Sequence, residues 1–171
     1  MNETNEAEQV LFDKCIRFLN SIGIPTQFRA IAPDSFLPGY LIENGMIIID
    51  RQLLQHPGDI LHEAGHIAVV PAADRPHLTE QSIPQRKNRE AEELMAIAWS
   101  YAACMYLLID PAFVFHEEGY RGGSSYITET CGNNTYFGLS MLQGIGLTAD
   151  NEQTQRVHIP YYPHMIKWLR A

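Results

Sequence analysis

The chain is expected to adopt an α+β fold, mainly helical, with a small β-sheet ahead of a histidine-bearing helix. Three observations predict this. Apolar residues recur at helical spacing in three long segments. An Asn-Gly pair sits between two short β-branched runs at residues 40–50. No internal repeat, low-complexity tract or linker divides the 171 residues. That length suits one domain, 1–171, and is enough to bury a core without disulfides.

Each element follows from its residues. Val10, Leu11, Phe12, Cys15, Ile16, Phe18, Leu19 and Ile22 predict a helix over about 5–22, stopped by Gly23. Residues 24–39 are punctuated by proline and read as a strand with irregular connections. In Tyr40–Asp50 the Asn44-Gly45 pair predicts a hairpin, because both residues tolerate positive φ in a type I′ turn. The run Met46–Ile49 is either an edge able to pair with an extended substrate or simply sheet core. A second helix runs from near Pro57 to about Val69, with Asp59 in its first turn facing the positive end of the dipole. Residues 71–88 are polar, broken by proline, and read as a loop. A third helix over about 89–108 is apolar almost all round and ends at Asp110-Pro111, so it should be buried. Beyond it the chain is rich in glycine and aromatics, with a short helix near 136–144 and a final helical turn in the tail from Pro160.

Composition excludes several function classes. A formal net charge of -8 and a pI near 5.3 argue against nucleic acid as a partner, since phosphate backbones need a basic face. Cys15, Cys104 and Cys131 form neither a disulfide framework nor a C-x-x-C pair, and read as reduced thiols. The N-terminus is polar and acidic, unlike a secretory signal, and no apolar run approaches the roughly 20 residues of a membrane span. These features lead us to expect a cytoplasmic protein with no membrane partner.

The chemistry is carried by His62-Glu63-Ala64-Gly65-His66. On a helix, residues i and i+4 share a face, so His62 and His66 aim two imidazoles at one point, as zinc requires. Glu63 is displaced around the helix, placed to take a proton from a zinc-bound water rather than to bind the metal. The flanks Ile60, Leu61, Ile67, Ala68 and Val69 are apolar, so the helix is buried and its polar face must look into something. A catalytic zinc needs a third protein ligand, and Glu90, Glu92 and Glu93 at the start of the third helix offer one. Ala96, Ser100 and Ala103 form a small-residue face suited to Ala64 and Gly65, bordered by Glu92 and Glu93.

Over about residues 40–111 the sequence resembles the ImmA/IrrE family of zinc metallopeptidases, a gluzincin-type group. The resemblance rests on His62-Glu63-Ala64-Gly65-His66 and on Glu93-Leu94-Met95-Ala96-Ile97-Ala98-Trp99-Ser100, followed by Leu107-Leu108-Ile109-Asp110-Pro111. Ser100 stands where a second alanine is usual, and one extra residue precedes Pro111. The resemblance implies a zincin-like fold and one catalytic zinc held by His62, His66 and Glu93. It also implies Glu63 as general base in hydrolysis of a peptide or related amide bond. The family's register is what selects Glu93 over Glu92 and Glu90. Residues 112–171 match no part of the pattern, and the acidic chain shows no helix-turn-helix of the kind such peptidases work beside. His116, Tyr120, Tyr126, His158 and Tyr161 are candidates for stabilising the oxyanion. Two alternatives stand beside this reading. One is a non-catalytic zinc-binding regulatory or effector module on the same fold. The other is a different divalent ion, since imidazole and carboxylate also suit iron, nickel and cobalt.

Overall fold

The first helix, α1 (Glu3–Ile22), buries Phe12, Cys15, Phe18 and Leu19, a stripe at helical spacing. Gly23, at φ +94°, ends it, and Ile24 N–H closes back on the Leu19 carbonyl at 2.9 Å. A computed structural model describes residues 3–32, 35–117 and 136–171 of the chain. Helix–strand alternation there gives a mixed α+β architecture with a small three-stranded sheet.

The strands are β1 (Thr26–Phe28), β2 (Tyr40–Glu43) and β3 (Met46–Ile49), in the order β1-β3-β2. Asn44 and Gly45 take φ of 54° and 72°, the two positive values of a type I′ turn, and set β2 antiparallel to β3 with Tyr40 opposite Ile49. The third strand came from the Pro-punctuated stretch: β1 pairs in parallel with β3, Thr26 opposite Ile47. Met46–Ile49 is therefore the central strand and sheet core, and β1 and β2 are the two edge strands. Ile47, Ile48 and Ile49 are all fully buried, as expected of a strand covered on both faces.

Helix α2 (Asp59–Ala68) follows. Ile60, Leu61, Ala64, Gly65, Ile67 and Ala68 turn inward, leaving His62, Glu63 and His66 on the one half-buried face. Its start is pinned from two sides. The Tyr40 hydroxyl donates to the Pro57 carbonyl at 2.9 Å, and a Cβ on Gly58 would lie 1.7 Å from the Phe113 carbonyl oxygen. Its far end is held by the C-terminal segment, where Arg170 N–H bonds the Ala68 carbonyl at 2.9 Å.

Helix α3 (Arg89–Leu107) crosses α2 at Gly65. A Cβ there would meet the Ala96 carbonyl oxygen at 2.8 Å and its Cα at 3.0 Å, so the two backbones touch. Trp99 is fully buried between Phe18 and Trp168, and its indole N–H donates to the Trp168 carbonyl. Two short helices complete the described chain, α4 (Leu139–Gly144) and α5 (Asn151–Val157). The tail from Pro160 packs as irregular coil instead of the helical turn expected, and residues 71–88 carry two 3-10 turns within their loop. Among the described residues no helix is long and apolar enough to cross a membrane.

The Gly58 contact yields a stability test. Gly58→Ala should destabilise the fold by about 3 kcal/mol and lower the thermal midpoint by about 10 °C, read by circular dichroism. Gly144→Ala is the control: a Cβ there meets nothing within 4 Å, so it should be neutral or gain about 0.5 kcal/mol.

Candidate metal centre

The close α2–α3 crossing sets the first turn of α3 over the histidine face of α2. His62 Nε2 and His66 Nε2 lie 3.1 Å apart. Each faces one oxygen of Glu93, at 3.5 Å from His62 and 3.4 Å from His66. These three separations allow a direct test of whether the donors suit a metal. Four-coordinate zinc with bonds of 2.0–2.1 Å requires neighbouring donor atoms about 3.3 Å apart. The ring nitrogens are 3.1 Å apart, Glu93 Oε1 is 3.5 Å from His62 and Oε2 is 3.4 Å from His66, each separation close to that length, so the donor set suits the ion in spacing as well as in chemistry.

Glu63 also offers an oxygen to this point, its donor atom lying within 4.8 Å of those of His62 and His66. Two carboxylates thus flank the imidazoles: Glu93 from α3, one oxygen within 3.5 Å of each ring nitrogen, and Glu63 from α2 itself, within 4.8 Å of both. The other two acidic candidates are placed elsewhere. Glu92 is buried and clamped by Arg86, whose Nε and terminal nitrogen donate to its two oxygens at 2.7 and 3.0 Å. Glu90 is exposed on the wall of the neighbouring cleft.

The electrostatics follow from burial. Desolvation pushes His62 well below the usual imidazole range, with His66 adding to the effect, and brings His66 down to about 4 against the opposing pull of Glu92. Both rings are therefore neutral near pH 7, the form that ligates a metal. Burial raises Glu93. Glu63 is pushed up to about 8, first by burial and then by the carboxylates of Asp59, Glu93 and Glu80. In the metal-free protein it titrates near neutral pH, where a group that exchanges protons is most useful.

Asp59 and His116 extend the polar network. Asp59, near the start of α2, meets His116 Nε2 at 2.9 Å, and the His116 ring stacks on His56 at 3.8 Å. Burial raises Asp59, and His116 counters it. His116 is thus committed to the helix start and does not line the cleft. Of the other oxyanion candidates, the two that are described do not line the cleft either. Tyr161 is 54% exposed and His158 is exposed beyond α5. Tyr120 and Tyr126 lie outside the described residues.

Beside the metal centre a cleft of about 1240 Å³ opens between the 31–41 segment, residues 80–84 and the first turn of α3. Glu63, His66 and Glu93 stand on its wall with Phe36, Leu41 and Leu94. Glu80 builds this wall: its N–H bonds the Ile42 carbonyl at 2.9 Å, and its carboxylate accepts from Phe36 N–H. Neither Glu80 nor Phe36 carried a signal in the sequence. Arg86 had a weak one, being a cation close before three glutamates.

Two outcomes are expected. Metal analysis after loading should find zinc in wild type and Glu92→Ala but not in His62→Ala or Glu93→Ala; zinc persisting in Glu93→Ala would hand the third position to Glu63. The second concerns pH. Glu63 stays protonated in the folded, metal-free protein up to about 8, whereas the unfolded chain releases that proton near 4.5. Its contribution is therefore present below 4.5 and lost as pH rises to 8. In chelator, Glu63→Gln should match wild-type stability near pH 5 and exceed it increasingly toward pH 8; an unfolding free energy from urea titrations that differs between the two by the same amount at every pH would refute the assignment. The chain matches no family model, no curated protein and no solved structure, and the geometry of the site itself is what supports a function.

Proposed function

We propose that the protein is a zinc-dependent peptidase of zincin-like, gluzincin type, with His62, His66 and Glu93 holding one zinc ion and Glu63 acting as general base. The observation that carries this reading is the cluster of two imidazole nitrogens 3.1 Å apart, each 3.4–3.5 Å from its own oxygen of Glu93, with a second carboxylate beside it. A zinc-binding module needs only these three side chains, and the presence of Glu63 next to them favours catalysis. The motif resemblance to the ImmA/IrrE peptidases points the same way.

When bound, zinc supplies Lewis acidity, polarising the scissile carbonyl and making water acidic enough to attack near neutral pH. The chain's own groups do the rest. The two imidazoles are neutral by burial, so they hold the ion without first losing protons. Glu63 takes a proton from the attacking water and returns it to the departing amine. Its partly buried setting, among Asp59, Glu80 and Glu93, strengthens its hold on that proton.

A peptide is favoured over a smaller amide by the edge of β2. With Glu43 and Met46 closing the two-residue turn, Leu41 and Glu43 direct their backbone polar groups at β3, and Tyr40 and Ile42 direct theirs outward. Tyr40 N–H is taken by Leu37 and the Ile42 carbonyl by Glu80. The Tyr40 carbonyl and the Ile42 N–H also face outward on this edge, an acceptor and a donor spaced as an extended strand beside the cleft would require.

The test is turnover of an unstructured protein such as casein by the zinc-loaded chain. Chelation should abolish cleavage and added zinc restore it. Glu63→Gln should keep its zinc and lose about 100-fold or more in rate. Retention of rate in Glu63→Gln, or no cleavage by a fully loaded wild type, would leave a binding module in its place.

A further inference from the structure

The cleft wall next to the proposed zinc is apolar on one side and acidic on the other, and both features are open to a ligand. Phe36 is 86% exposed at the rim, and Leu94, one residue after Glu93, is 37% exposed. With Ile31, Leu41 and Ile83 they form a continuous apolar lining. A phenyl ring left in water on a segment otherwise tied down is poorly placed for stability. The Ile31 N–H is bonded to Asp50 and the Phe36 N–H to Glu80, so the backbone holds this ring at the mouth of the cleft. Burying such surface against a bound side chain is favourable in proportion to the area covered.

The acidic side is equally specific. Glu90 lies one turn before Leu94 on the same face of α3, and Glu80 stands across from it on the cleft wall. Neither is needed for the metal. Glu92 is neutralised by its bidentate pair with Arg86, and the charges of Glu63 and Glu93 are opposed by the ion. The one guanidinium among the described lining residues, Arg89, bonds the Pro84 carbonyl at 2.9 Å and keeps its charge. Glu80 and Glu90 together outweigh it, so the local potential is negative, repelling carboxylates and attracting cations.

We infer that the cleft selects an extended polypeptide segment with a bulky apolar side chain beside the metal centre and basic, not acidic, residues flanking it. Phe36 and Leu94 are the specificity-determining contacts for the apolar side chain, and Glu80 and Glu90 for the charge. This deepens the peptidase reading and rests on it for the position of the scissile bond.

Binding can be measured apart from cleavage, using the full-length, zinc-loaded Glu63→Gln chain and fluorescein-labelled peptides in a polarisation assay. The first peptide is Ala-Lys-Ala-Leu-Phe-Leu-Ala-Lys-Ala. The second replaces both lysines with glutamate, and the third replaces Leu-Phe-Leu with Ser-Asn-Ser. The second and third should bind at least about tenfold more weakly than the first. Added salt should narrow the gap between the first and second only. Phe36→Ala, introduced into the same chain, should weaken the first peptide about tenfold with zinc content unchanged. Glu90→Gln should shrink the penalty on the acidic peptide. Equal binding of all three, binding of none, or an unaltered affinity in Phe36→Ala would overturn the inference. Wild-type protein is then tested for cleavage of the first peptide. Selective binding without cleavage would leave the inference standing and count against the hydrolase alone.

Discussion

The contact on which the site depends is the one between Gly65 of α2 and Ala96 of α3. Two helices with ordinary side chains at their crossing keep their axes 8–10 Å apart. Removing one Cβ lets the backbones touch, and the Ala96 carbonyl oxygen and Cα fill the space that Cβ would occupy. Because Ala96 lies three residues after Glu93, the same approach brings that carboxylate onto the imidazoles of His62, three residues before Gly65, and His66, one after it. The spacing of the donor cluster follows from the smallness of a residue that donates nothing.

Around this crossing, burial does two jobs. It removes water from His62, His66 and Glu63, which keeps the rings neutral and raises the carboxylate. It also makes each charged neighbour expensive unless paired, and the pairing is visible. Glu92 has Arg86, Asp59 has His116, and both pairs lie at the margins of the site. Two carboxylates near the rings, Glu63 and Glu93, are left without a cation of the chain's own among the described residues, a charge balance that a divalent ion restores.

The sequence made the local features legible. The hairpin turn, the histidine helix and the long third helix each follow from a few residues with strong conformational preferences, and their observed limits lie within about two residues of expectation. Non-local features were not legible. The parallel pairing of β1 with β3 joins segments twenty residues apart and leaves no mark on three residues, Thr26–Phe28. Helix α5 did carry a signal, since Asp150 and Gln153 form a capping box, but its polar face offers no apolar period to notice. The tail from Pro160 reads in the sequence as a final helical turn. Instead, its Tyr162 hydroxyl and Trp168 carbonyl bond α3, and those bonds favour an irregular course. Of the site, the motif and a carboxylate cluster were readable; which carboxylate faces the rings depends on helix phase, and Arg86 settles Glu92 only in three dimensions.

The motif helix is only ten residues long and is held at both ends by chain that comes much later. Its start is wedged against Phe113 and bonded to His116, and its finish is bonded to Arg170. A helix this short is marginal alone in water. During synthesis, therefore, the histidine pair emerges long before the segments that hold it. A nascent chain would expose two imidazoles and several carboxylates with no defined separation, a weak and unselective chelator. A defined donor geometry is consequently a late event, coupled to the docking of the C-terminal segment, and a metal held at the proposed site would bind tightly only once the fold has closed.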